Sequence, residues 1–228
     1  MTFRDAKQLP DQIAQHLAEK IIHLELKPGQ RIQEAKLAQE LGVSRSPIRE
    51  ALHILNKQFL VDLLPRRGAV VSEFSEDFIG WLYDLLAVIY PLVARECANN
   101  FTKDDADQIQ AVLKKMEECA QRSDHDKYYD YVFEYAATFM RAAKNMLAVQ
   151  ILMNLWPSKR RMEFATLYHR RNTLKDNLKY FKLGTKYFLA GNPDMADKAL
   201  HDYILQERAI ALELAREYNH LLTTHHLG

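Results

Sequence analysis

The sequence has little cysteine, almost no net charge and no long uninterrupted hydrophobic run, and each lack removes a class of protein. Two cysteines among 228 residues, Cys97 and Cys119, show no CxxC spacing, so neither a disulfide scaffold nor a thiolate metal site is expected; they read as reduced core thiols of a cytoplasmic protein. A formal net charge of +1 excludes a polycation that coats nucleic acid in bulk. The opening residues MTFRDAKQLPDQ hold no apolar signal core. The most hydrophobic stretch, Trp81 to Ala94, is short and carries Asp84 and Pro91, so no membrane association is expected. There is no HExxH, no GxSxG, no glycine-rich phosphate loop and no pair of acids that spacing forces together; an enzyme is not expected, nor a cofactor. Repeats and low-complexity segments are also missing.

What the chain does carry is local. Leu37 to Arg49 reads LAQELGVSRSPIR: Leu37, Ala38 and Leu41 fall at helical spacing, Gly42 stops that helix, Val43 plugs the turn, and Ser44 or Ser46 with Pro47 starts a second helix. Ile48, Ala51, Leu52 and Leu55 make its inward stripe, which leaves Arg45, Arg49 and His53 on the opposite face. Phe59 to Leu64 and Ala69 to Val71 are short apolar runs flanking the turn Pro65-Arg66-Arg67-Gly68, a hairpin with a basic tip. Between Ser44 and Arg67 the bases Arg45, Arg49, Lys57, Arg66 and Arg67 face only Glu50 and Asp62. A helix-turn-helix followed by a basic wing points to double-stranded DNA, with arginines meeting guanine edges while serine hydroxyls and backbone N–H groups take phosphates. Lys36, on the supporting helix, is a candidate phosphate contact.

The rest of the chain reads as helix. Gln8 to Leu26 supplies a scaffold helix, with Ile13, Leu17, Ile21 and Leu24 on one face, and Ile32 to Leu41 the support helix. From Ser75 onward strand signals vanish. Ser75 caps a helix burying Leu82, Leu86, Ile89 and Val93, with a kink expected at Pro91. Thr102 with Asp105 starts another, burying Ile109, Val112, Leu113 and Met116. Further helices are expected over His125 to Ala143, Met146 to Trp156, Arg160 to His169 beyond a break or bend at Pro157, Leu174 to Leu189, and from Pro193, capped by Asn192, to about His220. The expected fold class is mainly α: a winged helix-turn-helix domain over residues 1–74, then an all-α bundle of six or seven helices over 75–228.

Residues 28–71, PGQRIQEAKLAQELGVSRSPIREAL followed by LVDLLPRRGAVV, resemble the winged-helix domain of the GntR family of bacterial transcription regulators. The resemblance implies DNA contacts at Ser44, Arg45, Ser46 and Arg49 and, in the wing, at Arg66, Arg67 and Gly68. Phe59 departs from the pattern, standing where the family usually has glycine. The helical remainder resembles the FCD subgroup, through the order of helices, the Ala-Ala-Lys-Asn break near Asn145 and the Ala-Gly-Asn-Pro-Asp turn near Gly191. Most members of that subgroup hold a metal ion on an aspartate and three histidines. Here those positions fall at about Val132, Ala136, Phe181 and Tyr203, and a frequent effector-binding arginine falls near Ala87. None of these can serve, so no metal is expected.

An interior lined by these residues, with hydroxyls from Tyr90, Tyr135, Tyr180 and Tyr203, reads as apolar and suits a hydrophobic effector. A fatty-acid-responsive member of the subgroup also lacks the metal set, which by resemblance implies a fatty acid or acyl-CoA. The alternative is a bundle that only dimerises or binds a protein partner. Lys159-Arg160-Arg161 and His169-Arg170-Arg171 read either as clamps for an anionic group or, more simply, as solvated helix ends; His201 reads as a surface or core residue rather than a metal ligand, and the His225-His226 pair as part of a frayed tail with at most adventitious metal binding. The expectation is thus a cytoplasmic homodimeric regulator of operator DNA, responsive to a small molecule.

Overall fold

The computed structural model describes residues 8–65, 68–169 and 174–225, with side chains for all of these except 168–169 and 218–225. The chain divides into two compact units, Met1–Phe74 with Asn154–Met162, and Ser75–Met153 with Glu163–Gly228.

In the first unit α1 (Leu9–Ile22), β1 (Arg31–Ile32), α2 (Glu34–Leu41), α3 (Arg45–Lys57), β2 (Val61–Leu64) and β3 (Gly68–Val71) follow in order. Ile13, Leu17 and Ile21 of α1 recur at helical spacing and pack on α3, where Ile48, Leu52 and Leu55 recur likewise; none of the six is more than 2% exposed. Burying each contributes roughly 1.5–3 kcal/mol. The first helix ends earlier than the sequence suggests: Leu24 takes φ +60, and the Leu26 N–H folds back to the Lys20 carbonyl, so Leu24 does not extend the apolar face. The hairpin is present, with Val61 opposite Val71 and Leu64 opposite Gly68. A third strand extends it into a sheet. Ile32, expected to open the support helix, instead joins Arg31 in β1 against Ala69 and Val70, giving an antiparallel sheet in the order β1-β3-β2. Arg66 and Arg67 lie outside the described residues.

The exit from α3 explains how the chain manages without the usual glycine. The Phe59 N–H donates to the Asn56 carbonyl and the Leu60 N–H to that of Leu55, both at 3.0 Å. That ending places Phe59 in the left-handed region at φ +58. The conformation costs a residue with a Cβ roughly 1–2 kcal/mol, and the helix exit nonetheless keeps the path a glycine would give it.

The Asn154–Met162 segment corrects the reading of Lys159-Arg160-Arg161 as a solvated helix end. Lys159 and Arg161 are each only 3% exposed. Arg160 donates to both Glu19 carboxylate oxygens at 2.6 and 3.2 Å, and the Arg161 guanidinium lies 4.2 Å from the centre of the Phe74 ring. The Ser158 hydroxyl donates to the carbonyl of Gln58, the C-cap residue of α3, at 2.7 Å.

The second unit contains α4 (Glu76–Asn100), α5 (Lys103–Arg122), α6 (His125–Ala143), the ends of α7 (Met146–His169), α8 (Leu174–Leu189) and α9 (Pro193–His225). The starts of α4, α5 and α6 are capped by side chains: Ser75 accepts from the Phe78 N–H, Thr102 and Asp105 form a full capping box, and Asp124 accepts from the Lys127 N–H. Asn192 likewise accepts from the Met195 N–H. α4 packs along α9 and α6, and α8 against α9 and α5. Of the break or bend expected at Pro157, the break is absent: α7 runs through it, since a helical proline removes one N–H and bends the helix before it ends it.

α4 is also longer than the apolar run suggested, and by length and composition alone it could cross a membrane. One face of it is core: Ile79, Leu82, Tyr83, Leu86, Tyr90, Val93, Ala94 and Cys97 are buried, with Ile89 only half-buried. Its other face carries Trp81, Leu85, Val88 and Leu92, exposed by 66%, 52%, 69% and 40%.

Candidate nucleic-acid interface and bundle interior

The geometry of α2 and α3 follows from one glycine. Gly42 adopts φ +67, which a side chain would resist, and lets the Val43 N–H reach back to the Ala38 carbonyl at 3.0 Å. The chain then extends through Ser44, the N-cap of α3, which resolves the choice between Ser44 and Ser46. The Ser44 side chain makes no capping bond to its own helix, so its hydroxyl and the first-turn N–H groups of α3 are not spent on each other. Ile48, Ala51, Leu52 and Leu55 are buried, and Arg45, Ser46, Arg49 and His53 are exposed.

The candidate residues differ in how they are held. The Ser46 hydroxyl donates to Glu50 at 3.3 Å, and Lys36, 72% exposed, lies 3.8 Å from Glu40. Arg49 is 63% exposed yet tethered, its Nε donating to Glu34 Oε2 at 2.7 Å. Gly68 opens β3 at φ +77 with nothing within 4 Å of where a Cβ would stand; backbone conformation, not crowding, requires glycine there. The structure therefore places Lys36, Ser44, Arg45, Ser46, Arg49 and Gly68 on exposed positions of one unit. Glu34 escaped the sequence reading because it sits fifteen residues from Arg49, on another helix.

Within the second unit, four of the expected effector-lining residues meet. The ring centres of Tyr135 and Phe181, and of Phe181 and Tyr203, lie 5.1 Å apart, and Tyr180 joins at 5.8 Å from Tyr203. Val132 is buried on α6 and Tyr90 on α4, while Ala136 and Ala87 are half-buried. The interior is not purely apolar, however. Tyr135 exchanges a 2.9 Å hydrogen bond with Thr185, and the Tyr203 hydroxyl donates to Glu163 at 3.2 Å. Tyr128 donates to Asn177 Oδ1 at 2.8 Å, and Asn177 donates in turn to Glu207 at 3.3 Å. Glu163, Asn177 and Glu207 are at most 1% exposed.

Burial first, then the nearby Glu163 and Glu207 carboxylates, hold the Tyr203 and Tyr128 hydroxyls well above the usual phenol range, so both are donors at any physiological pH. Burial likewise pushes the Cys97 and Cys119 thiols up, away from thiolate reactivity. Among the described residues no cluster of three or more His, Cys, Asp or Glu side chains could hold a metal ion. His201 is half-buried, 3.9 Å from Asp202. The His169 side chain, Arg170, Arg171 and the His225-His226 side chains lie outside the described residues.

The comparisons agree with this architecture. Residues 9–71 match the family described as bacterial regulatory proteins, gntR family, and residues 81–206 match the FCD domain. The chain is 30% identical over 196 residues to the gluconate operon transcriptional repressor of Bacillus licheniformis, covering 83% of this chain and 79% of that protein. It is 25% identical over 158 residues to the HTH-type transcriptional repressor RspR of Escherichia coli K12, covering 69% of each. Among solved structures, E. coli McbR/YncC superposes with a TM-score of 0.75 at 20% identity, over 92% of this chain and 98% of that one. A GntR-type regulator from Rhodococcus sp. RHA1 gives 0.72 at 21% identity, over 90% and 97%. These two likenesses speak to fold alone; the domain matches and the identity to the gluconate repressor speak to descent. This chain belongs to the GntR family of bacterial transcription regulators, as a member that joins a winged helix-turn-helix to an FCD domain.

Proposed function

We propose that this regulator binds palindromic operator DNA as a cytoplasmic homodimer, reading bases through α3 and anchoring its wing on the backbone. The observation that carries the reading is the start of α3. Arg45 and Arg49 are exposed there beside a Ser44 hydroxyl and first-turn N–H groups that no cap consumes. Arg45 and Arg49 take base edges, Ser44, Ser46 and Lys36 take phosphates, and Arg66, Arg67 and Gly68 hold the wing. Arg49→Ala is expected to weaken binding to a selected operator by about 1–3 kcal/mol and to blunt base discrimination, measured by fluorescence anisotropy at fixed salt. Unchanged operator affinity would remove Arg49 from the interface.

The dimer is proposed to form through α4. Trp81, Leu85, Val88 and Leu92 repeat with spacings of four and three, the pattern of a helix that packs on a second helix. A second copy run antiparallel about a two-fold axis meets this stripe with itself and brings the exposed Arg95 end of one α4 to the exposed Asp77 end of the other. Two-fold symmetry in the protein is what a palindromic operator mirrors.

Effector sensing belongs to the same proposal: a fatty acyl or other hydrophobic molecule among Ala87, Tyr90, Val132, Tyr135, Ala136, Tyr180, Phe181 and Tyr203, with no catalytic step and no metal. Aromatic density in that interior supports it. One observation favours the second reading, a bundle that only dimerises or binds a protein partner: the Tyr135 and Tyr203 hydroxyls already have partners in Thr185 and Glu163. A thermal-shift panel of acyl-CoAs, fatty acids and small organic acids separates them. A ligand held only by the folded protein at a hundred times its Kd adds about 2.7 kcal/mol of stability, whereas a purely structural bundle shows no shift with any member.

A further inference from the structure

We infer that Glu34 is a positioning residue for base reading, acting through Arg49; the inference rests on the proposed role of Arg49 at the DNA. Glu34 is the first residue of α2, where a carboxylate is favoured by the N-terminal end of the helix dipole, and it is 29% exposed. Its Oε2 accepts from Arg49 Nε at 2.7 Å. A guanidinium has two edges that can pair with a planar acceptor pair. Engaging Nε spends the side edge and leaves the end edge, Nη1 and Nη2, as the fork that matches guanine O6 and N7. Neither terminal nitrogen has a partner among the described residues. The carboxylate thus converts a long, freely rotating side chain into one held in the orientation in which it reads, so that less freedom is lost on meeting DNA.

The same carboxylate works against affinity. A negative charge beside the recognition helix repels phosphates on any sequence, so Glu34 lowers binding to all DNA while improving the contrast between right and wrong sequences. A carboxylate kept only for stability would also repel phosphates but would leave the contrast unchanged, and an ion pair this exposed adds little to the fold.

The test uses the full chain and two duplexes: the tightest binder selected from a random-sequence pool by the unmodified protein, and a scrambled duplex of equal length and composition. Discrimination is the ratio of the two Kd values. Glu34→Ala is expected to lower that ratio about tenfold, with binding to the scrambled duplex unchanged or tighter and the melting temperature unmoved. Glu34→Gln keeps most of the ratio, since its amide oxygen still accepts from Nε. In an Arg49→Ala background, Glu34→Ala leaves the ratio where Arg49→Ala put it, even if both duplexes bind more tightly. If Arg49→Ala leaves the ratio intact, the base-reading role of Arg49 falls and Glu34 with it. If Arg49→Ala lowers the ratio but Glu34→Ala does not, or does so equally without Arg49, the positioning role is overturned and the interface stands.

Discussion

Val88→Asp is expected to yield a folded monomer. Val88 is 69% exposed within the chain and lies in the middle of the α4 stripe, between Leu85 and Leu92, so the substitution leaves the core of the bundle untouched. In the proposed two-fold pairing of α4 with itself, each copy would contribute the same residues, and burying Trp81, Leu85, Val88 and Leu92 would add roughly 1.5–3 kcal/mol per side chain. An aspartate there places two carboxylates near the symmetry axis, each losing its hydration without a cation to meet it. The cost of several kcal/mol weakens the dimer by at least about 1,000-fold. Sedimentation velocity at micromolar concentration reads the change directly, with far-ultraviolet circular dichroism confirming helix content. On DNA the variant should lose the gain of a palindrome over a single half-site. A dimer of unchanged strength would show that α4 is not the contact.

Asn177→Ala is expected to cost about 3 kcal/mol of unfolding free energy. Asn177 is 1% exposed, accepting from the Tyr128 hydroxyl at 2.8 Å and donating to Glu207 at 3.3 Å. Truncation removes the acceptor of a tyrosine that is itself fully buried and subtracts a donor from a buried carboxylate. Buried groups stripped of partners cost about 1–3 kcal/mol each. Urea denaturation followed by circular dichroism measures the loss. Removing the hydroxyl as well, in Tyr128→Phe with Asn177→Leu, should recover part of it, because two apolar partners leave less unsatisfied than one polar survivor. A single variant within 0.5 kcal/mol of the parent would show that water or a rearranged neighbour replaces the amide.

The elements that could be read from the sequence are those whose causes are local. Ser75, Thr102 with Asp105, and Asn192 with Pro193 announce helix starts because a cap acts within one turn. Gly42 and the inward stripe of α3 do the same for the helix-turn-helix. What escaped depends on distant partners. Arg31 and Ile32 are too short a pair to show a period, and only β3, nearly forty residues on, makes them a strand. Lys159 and Arg161 look like surface charge until Glu19 and Phe74 lie beside their helix turn. Glu163, Asn177 and Glu207 carry no helical-period signature that separates a buried polar residue from an exposed one, so the interior read as apolar when it is threaded by hydrogen bonds. The resemblance supplied the family, and with it the residues proposed to contact DNA, but not the Glu34 carboxylate that holds Arg49.

The Ser158 bond to Gln58 bears on how the protein is made. The carbonyl at the end of α3 receives a hydroxyl encoded a hundred residues downstream, and Arg160 closes on Glu19 across an even longer interval. On a translating ribosome the winged segment emerges on the order of ten seconds before those partners do. In a nascent chain stalled before Asn154 the recognition helix is present without its distal cap, and α4, α5 and α6 are already synthesised. The DNA-binding unit is thus finished only after most of the bundle exists, which ties the maturation of the reading head to that of the module behind it.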